Sequence, residues 1–185
     1  AACEQSLRRL ATDYIDVYFL HVPDPTTPIE ETLDAMSRLV DDGKVRYVGC
    51  SNFTGWQIAD ADGVARANGL RGFVALQNEW SLLERGIERE VVPACERFGL
   101  GILPYFPLAG GALTGKYLRG VAFDEKSRFG TAAAREGAFG RFVADASLAR
   151  VERLQKVATE SGRSLLALAL SWLARNPVVS SVIAG

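Results

Sequence analysis

Several side chains that can do chemistry stand where short apolar runs of this chain end. They are His21, the pair Ser51-Asn52, Gln77 and Tyr105. Ligands of parallel α/β proteins bind at the carboxyl ends of the strands, so these side chains are the candidates for a binding site. A hydroxyl beside two amides suits a small planar carboxamide better than a metal ion or a phosphate.

The composition narrows the class of protein. The chain has 185 residues, is 48% hydrophobic and carries a formal net charge of −1. It can bury a core, and it has no basic surface for nucleic acid or for an anionic membrane. Its three cysteines show no metal-ligand spacing, which favours reduced thiols in a cytoplasmic protein. We therefore expect no metal, no nucleic acid and no membrane among its partners.

The apolar runs alternate with helical stretches along the chain. The runs are Ile15 to Leu20, Val45 to Cys50, Phe73 to Gln77, Leu100 to Tyr105 and Val178 to Ile183. Strands that alternate with helices predict a parallel sheet, and the absence of Gly-x-Gly-x-x-Gly after any run disfavours a Rossmann fold. We predict the α/β class: a partial (β/α)8 TIM barrel of about five parallel strands, forming one incomplete domain over residues 1–185.

The helix boundaries follow from capping signals. Thr27-Pro28-Ile29-Glu30 is read as a capping box, and Thr54 is read as the start of the next helix. A third helix is predicted from about Gly86 to Phe98, and two more near Ser147 to Ser161 and Ser164 to Arg175.

One long segment, about 110–146, interrupts this rhythm and is predicted to be a loop at the active face. It opens with glycines that let backbone N–H groups approach a phosphate, followed by Lys116 and later by Arg128. Taken alone, the segment is equally consistent with a flexible loop carrying solvated charges.

The strand-end residues also have plain structural readings. His21 is the only histidine, so it forms neither a metal site nor a catalytic triad, although its place after a strand favours a functional role. Gln77 is also consistent with a polar strand end that bonds a neighbouring loop. Tyr105 is consistent with a core aromatic or with a ring that stacks on a flat heterocycle.

Several motifs in one order make the chain similar to the aldo-keto reductase family. They include Asp13-Tyr14-Ile15-Asp16-Val17-Tyr18, Leu20-His21-Val22-Pro23-Asp24, Gly43-Lys44-Val45-Arg46, Gly49-Cys50-Ser51-Asn52-Phe53, Gln77-Asn78, Pro104-Tyr105-Phe106-Pro107-Leu108 and Gly115-Lys116-Tyr117. The last of these, with Ser127-Arg128, resembles the branch of bacterial reductases and potassium-channel beta subunits.

The resemblance implies a role for each candidate residue. His21 would hydrogen-bond the carbonyl oxygen of the substrate as a catalytic residue. Ser51, Asn52 and Gln77 would hold the nicotinamide carboxamide of NADP(H), and Tyr105 would stack on its ring. The remaining cofactor contacts would be Phe106, Leu108 and Gly110 along the pyrophosphate, with Lys116 and Arg128 as charged phosphate partners.

The resemblance also implies what the activity needs. The family's catalytic Asp, Tyr and Lys precede the position matched by Ala1, so we expect a piece truncated at both ends that covers strands four to eight. The expected function is NAD(P)H-dependent reduction of aldehydes or ketones, with a complementing or homo-oligomeric partner possible. The alternatives are a nucleotide-binding regulatory or interaction protein, like a channel beta subunit, and an inactive gene fragment.

Overall fold

The computed structural model describes residues 2–184, which form two compact units. The first unit comprises residues 2–78 and Ile87–Leu103, and the second comprises Glu79–Gly86 and residues 104–184. The assignment of the whole chain to one domain stays a prediction, and each unit is described by itself.

The first unit contains one parallel sheet in the order β1-β2-β3-β4. Its strands are β1 (Ile15–Leu20), β2 (Val45–Ser51), β3 (Ala75–Gln77) and β4 (Gly101–Ile102). The register places Leu20 opposite Cys50 and Ser51 opposite Gln77, so the strands end together at one edge. Parallel strands alternating with helices confirm the predicted α/β class and match part of a (β/α)8 barrel.

Four helices accompany this sheet: α1 (Ala2–Leu10), α2 (Ile29–Asp41), α3 (Gly55–Asn68) and α4 (Val91–Phe98). α3 begins behind Thr54, as predicted, and Thr54 caps it through a reciprocal capping box with Gln57. The capping box predicted at Thr27 is wrong. Pro28 is the N-cap without a side-chain bond, and the Thr27 hydroxyl instead donates to Asp24 Oδ2 at 2.9 Å.

The fourth and fifth predicted strands differ most from the structure. β4 is shorter than predicted because Pro104 has no N–H to donate to a ladder. Residues 178–183 form no strand within the described chain, so the sheet has four strands rather than five. The N–H groups of Val178 and Val179 donate to the side chain and backbone carbonyl of Asn176, and a turn therefore uses the donors that a ladder would need.

The predicted helix from Gly86 to Phe98 is also divided. Gly86–Arg89 forms a 3₁₀ turn, and α4 begins only at Val91 because Glu90 leaves the helical conformation. α4 ends at Gly99, whose left-handed φ of 75° closes the helix.

The second unit is built from helices and turns. Its helices are α5 (Ala132–Glu136), α6 (Asp145–Glu160) and α7 (Leu165–Ala174), with 3₁₀ turns at Ala109–Thr114 and Gly140–Val143. One apolar cluster forms its core, and it includes Leu113, Phe129, Phe142, Leu165 and Ala169. Within residues 110–146 a few apolar side chains such as Leu113, Phe129 and Phe142 join this core while most of the segment is exposed, and its place at an active face stays a prediction.

The three cysteines are free and buried, as the cysteine spacing predicts. Cys50 and Cys95 are both fully buried in the first unit. Within residues 2–184, no helix has the length and apolar character needed to cross a membrane.

Candidate functional site

The carboxyl edge of the sheet is organised around Asn52. This residue has a φ of 63°, a left-handed conformation that asparagine tolerates better than most residues. Its side-chain Nδ2 donates to the backbone carbonyl of His21 at 2.9 Å and to Ser51 Oγ at 3.1 Å. The ends of β1 and β2 are thereby joined through one amide side chain.

Ser51 links the ends of β2 and β3. Its side chain is buried, and Oγ donates to the backbone carbonyl of Gln77 at 2.8 Å. The N–H of Asn52 donates to the same carbonyl at 3.0 Å. The structure thus brings together Ser51, Asn52 and Gln77, the three residues predicted to hold a carboxamide, while that role stays a prediction.

Asn78 is the residue that sequence reasoning missed at this edge. It is buried; its Oδ1 accepts the Asn52 N–H at 2.7 Å, and its Nδ2 donates to the Phe53 carbonyl at 3.0 Å. Asn78 therefore fixes the unusual backbone of Asn52 from the neighbouring strand. The Gln77-Asn78 pair is visible in the sequence. Only the register of β2 and β3 shows that the Asn78 side chain bonds the backbone of Asn52 and Phe53.

His21 has an exposed side chain that lines a cavity of about 540 Å³ beside β1 and α2. Apolar side chains such as Tyr18, Met36 and Leu39 line the same cavity. An imidazole at the wall of such a cavity can donate a hydrogen bond to a ligand carbonyl. Among residues 2–184, no group of three His, Cys, Asp or Glu side chains is placed to hold a metal ion.

Tyr105 lies in the second unit, where it bridges to Glu79 in parallel fashion. The Tyr105 carbonyl accepts the Trp80 N–H at 3.3 Å, and the Tyr105 ring meets the Phe106 ring edge-on at 5.4 Å. Burial and the neighbouring Glu79 carboxylate raise the pKa of Tyr105. The side chain is half-buried and stays neutral at physiological pH.

A tight coil follows Tyr105 and contains the three residues predicted to line a pyrophosphate. Phe106 and Ala109 have φ values of 52° and 48°, and Gly110 and Gly111 have φ values of 64° and 103°. The coil is closed by hydrogen bonds from Ala109 N–H to the Phe106 carbonyl and from Gly111 N–H to the Leu108 carbonyl. Successive peptide N–H groups of a turn can line a concavity that binds an anion.

Lys116 and Arg128, the two predicted phosphate partners, are both exposed in this unit. Lys116 Nζ lies 5.0 Å from the centroid of the Tyr117 ring. A Cβ added at Gly111 would lie 3.5 Å from that Nζ, so the glycine leaves room beside the ammonium group. Lysine and glycine are residue types that can bind the phosphates of a dinucleotide.

Comparisons with known proteins agree with the motifs. The family profile described as "Aldo/keto reductase family" matches residues 1–185. A rice protein named "Probable voltage-gated potassium channel subunit beta" is 42% identical over 97% of this chain and 55% of its own length. The "Uncharacterized oxidoreductase YrpG" of Bacillus subtilis is 38% identical over 98% of this chain and 52% of its own length.

The chain thus spans about half the length of the curated relatives it matches. The profile match extends over the whole of it, through both described units. The chain belongs to the aldo/keto reductase family.

Proposed function

We propose that this chain is the nicotinamide-binding part of an NADP(H)-dependent reductase of aldehydes or ketones. The observation that carries the proposal is the hydrogen-bonded edge formed by Ser51, Asn52 and Gln77, with the His21 carbonyl bound to the same Asn52 side chain. A neutral hydroxyl and amides can hold a carboxamide in one orientation. The family match and the relatives named as oxidoreductases support an oxidoreductase in general.

Each residue is assigned a role that its side chain can perform. Ser51, Asn52 and Gln77 are assigned to the carboxamide, and Tyr105, a half-buried aromatic residue, is assigned to stacking on the nicotinamide. The cofactor, when bound, supplies the hydride. His21 donates a hydrogen bond to the carbonyl oxygen, where negative charge grows as the carbonyl is reduced.

Binding is the direct test. NADPH fluorescence is titrated with the chain and with the variant Asn52→Ala. We expect affinity to fall about tenfold in the variant, since a polar contact to the ligand and the edge that positions Ser51 are both lost. Asn68→Ala is the matched control, because the Asn68 side chain only donates to the Val64 carbonyl at an exposed helix end. Equal affinities for the two variants would contradict the proposal.

Reduction is tested on the gene product read through both ends of this segment. If the reading frame supplies an Asp, a Tyr and a Lys in preceding strands, turnover of a simple aldehyde is expected, and His21→Gln should lower kcat while leaving NADPH binding unchanged. General acid catalysis by such a tyrosine contributes roughly 10² to 10⁴ in rate. Unchanged kcat in His21→Gln would contradict the role given to His21.

The second candidate is a nucleotide-binding regulatory subunit. It is favoured by relatives from rice and Arabidopsis thaliana, 42% and 41% identical, that are both named as probable potassium-channel beta subunits. NADPH binding that survives in His21→Gln, without turnover of any aldehyde or ketone by the longer gene product, would favour this candidate.

A further inference from the structure

An ion pair in the second unit connects the end of residues 110–146 to Glu79, which is bridged to Tyr105. Arg141 Nη2 donates to Glu79 Oε1 at 2.8 Å and to Glu79 Oε2 at 2.6 Å. The Glu79 side chain is only 18% exposed, while that of Arg141 is 46% exposed. The guanidinium therefore meets both oxygens of a carboxylate that is largely shielded from water.

The position of Arg141 is itself fixed by its neighbours. Its guanidinium carbon lies 4.4 Å from the centroid of the Phe142 ring, and its Nη1 donates to the Ala138 carbonyl at 2.8 Å. Its own carbonyl accepts the Ser147 hydroxyl at 2.7 Å. Stacking and one hydrogen bond restrain the side chain, and a second bond restrains its backbone, so little rotamer entropy is left to lose when it binds Glu79.

The rings next to Arg141 reach back to the Tyr105 segment. Phe106 meets Phe139 at 5.1 Å and Phe142 at 5.9 Å, both edge-on, and it meets Tyr105 at 5.4 Å. Glu79 is bridged to Tyr105 through the backbone. Two separate routes, one ionic and one aromatic, therefore join residues 139–142 to Tyr105.

We propose that Arg141 is a positioning residue that holds Glu79 and the Tyr105 ring in place, and that it thereby slows the release of a nicotinamide nucleotide. The proposal rests on the proposed function, because it assumes that the Tyr105 ring contacts the nucleotide. Arg141 itself contacts neither nucleotide nor substrate in this assignment. It acts through Glu79, whose carboxylate lies beside the tyrosine.

Removing the guanidinium has a consequence at Tyr105 that requires no nucleotide. Burial and the Glu79 carboxylate raise the Tyr105 pKa, and the Arg141 charge partly opposes them. In Arg141→Met the opposing charge is gone, so the Tyr105 pKa should rise further. In Glu79→Gln it should fall, because the negative neighbour is removed.

The experiment compares Arg141→Met, Arg141→Lys and a control, Arg119→Met, in the full chain. Arg119 also makes a two-point ion pair in the same unit, but its partner is Asp145, whereas the charges that shift the Tyr105 pKa are those of Glu79 and Arg141. Tyr105 is titrated by absorbance as the difference between each protein and its Tyr105→Phe counterpart. Release of NADPH is followed by stopped-flow fluorescence after displacement with excess NADP⁺.

We expect Arg141→Met to raise the Tyr105 pKa and to accelerate NADPH release about tenfold, since a charge-assisted two-point contact is lost. Arg141→Lys should restore the tyrosine pKa more fully than the release rate, because lysine keeps the charge but not the planar two-point contact. Arg119→Met should change neither quantity. A Tyr105 pKa and a release rate in Arg141→Met equal to those in Arg119→Met would overturn the proposal.

Failure of the proposed function would look different. If the unaltered chain binds no NADPH, the nucleotide assignment fails while the tyrosine titration still decides whether Arg141 positions Tyr105. If NADPH binds and the tyrosine pKa rises without a change in release, the part of the proposal that concerns nucleotide retention is overturned.

Discussion

The two units hold their candidate residues in different ways. At the sheet edge of the first unit, Ser51 and Asn52 bond backbone carbonyls of neighbouring strands, and a regular register decides which groups meet. The described residues of the second unit form no sheet, and there ring edges and the ion pair of Glu79 with Arg141 surround Tyr105 and Phe106. A substitution at the sheet edge should therefore destabilise the fold by leaving polar groups without a hydrogen-bond partner. A substitution in the second unit should destabilise it by leaving a void or creating a clash.

The largest effect is expected from Phe142→Ala in the second unit. The Phe142 side chain is 3% exposed and packs against Phe106 and Phe139. Its removal should lower the free energy of unfolding by about 3 to 5 kcal/mol, measured by urea denaturation. Phe139→Ala is the control: the Phe139 ring is 44% exposed, so its loss should cost clearly less. Equal costs would mean that burial does not govern this cluster.

A clash should cost somewhat less than that void. A Cβ added at Gly140 would overlap the backbone of Arg135, which cannot move as a side chain can. Gly140→Ala should therefore cost about 3 kcal/mol, at the upper end for overpacking. Gly49→Ala in the first unit is the comparison, since its Cβ would meet chiefly the Phe19 ring, at 2.5 Å.

Gly63→Ala serves as the control for both glycine variants. It lies inside α3 with nothing within 4 Å of an added Cβ, so alanine should stabilise by roughly 0.5 to 1 kcal/mol. If Gly140→Ala lowered the free energy of unfolding no more than Gly63→Ala does, the close packing assigned to the Gly140–Val143 turn would be wrong.

In the first unit, Asn78→Ala should lower the free energy of unfolding by about 1 to 3 kcal/mol. The Phe53 carbonyl loses its donor, and the Asn52 N–H retains only the Gln77 carbonyl. Urea denaturation gives the cost. NADPH affinity should fall in parallel, because Asn52 is no longer fixed. The exposed Asn68→Ala change should cost less in stability and nothing in affinity.

The smallest expected effect is a difference in how salt changes the pKa of one carboxyl group in each unit. Hydrogen bonds from the Thr26 side chain and N–H and from the Thr27 hydroxyl lower the pKa of Asp24. A hydrogen bond from Arg119 and its charge lower the pKa of Asp145. Each carboxylate stabilises the folded chain above the ordinary Asp pKa of 3.8, and that stabilisation is lost as the pH falls through the lowered value.

NMR titration of the two carboxyl groups at low and high salt tests this difference. Salt screens the charge of Arg119, so the pKa of Asp145 should move back toward 3.8 at high salt. The pKa of Asp24 should stay low, because neutral hydroxyl and amide donors are not screened. A common salt response in both groups would contradict the assigned causes.

The sequence predicted best what depends on neighbours along the chain. The apolar runs at β1 and β2 and the Thr54 cap are local patterns, and the structure confirms them. Residues 178–183 form no strand because Asn176 accepts from the N–H groups of Val178 and Val179, so the bond from the Ile183 N–H to the Pro104 carbonyl is not extended into a ladder. A strand is decided by its ladder as much as by its side chains.

The candidate site divides in the same way. The strand-end positions of Ser51, Asn52 and Gln77 were predictable from the ends of apolar runs. The pair of Glu79 and Arg141, 62 residues apart, carries no local signal, because a glutamate and an arginine are ordinary surface residues until the fold joins them.

The buried thiols make the chain a slow target for oxidants. Cys95 is fully buried, and burial raises its pKa to about 12, so the thiol form dominates at neutral pH. Burial raises the pKa of Cys50 as well. Peroxide acts on the thiolate, so neither cysteine should become sulfenic acid while the first unit stays folded. The rate at which these thiols are lost in air would then report how often that unit opens.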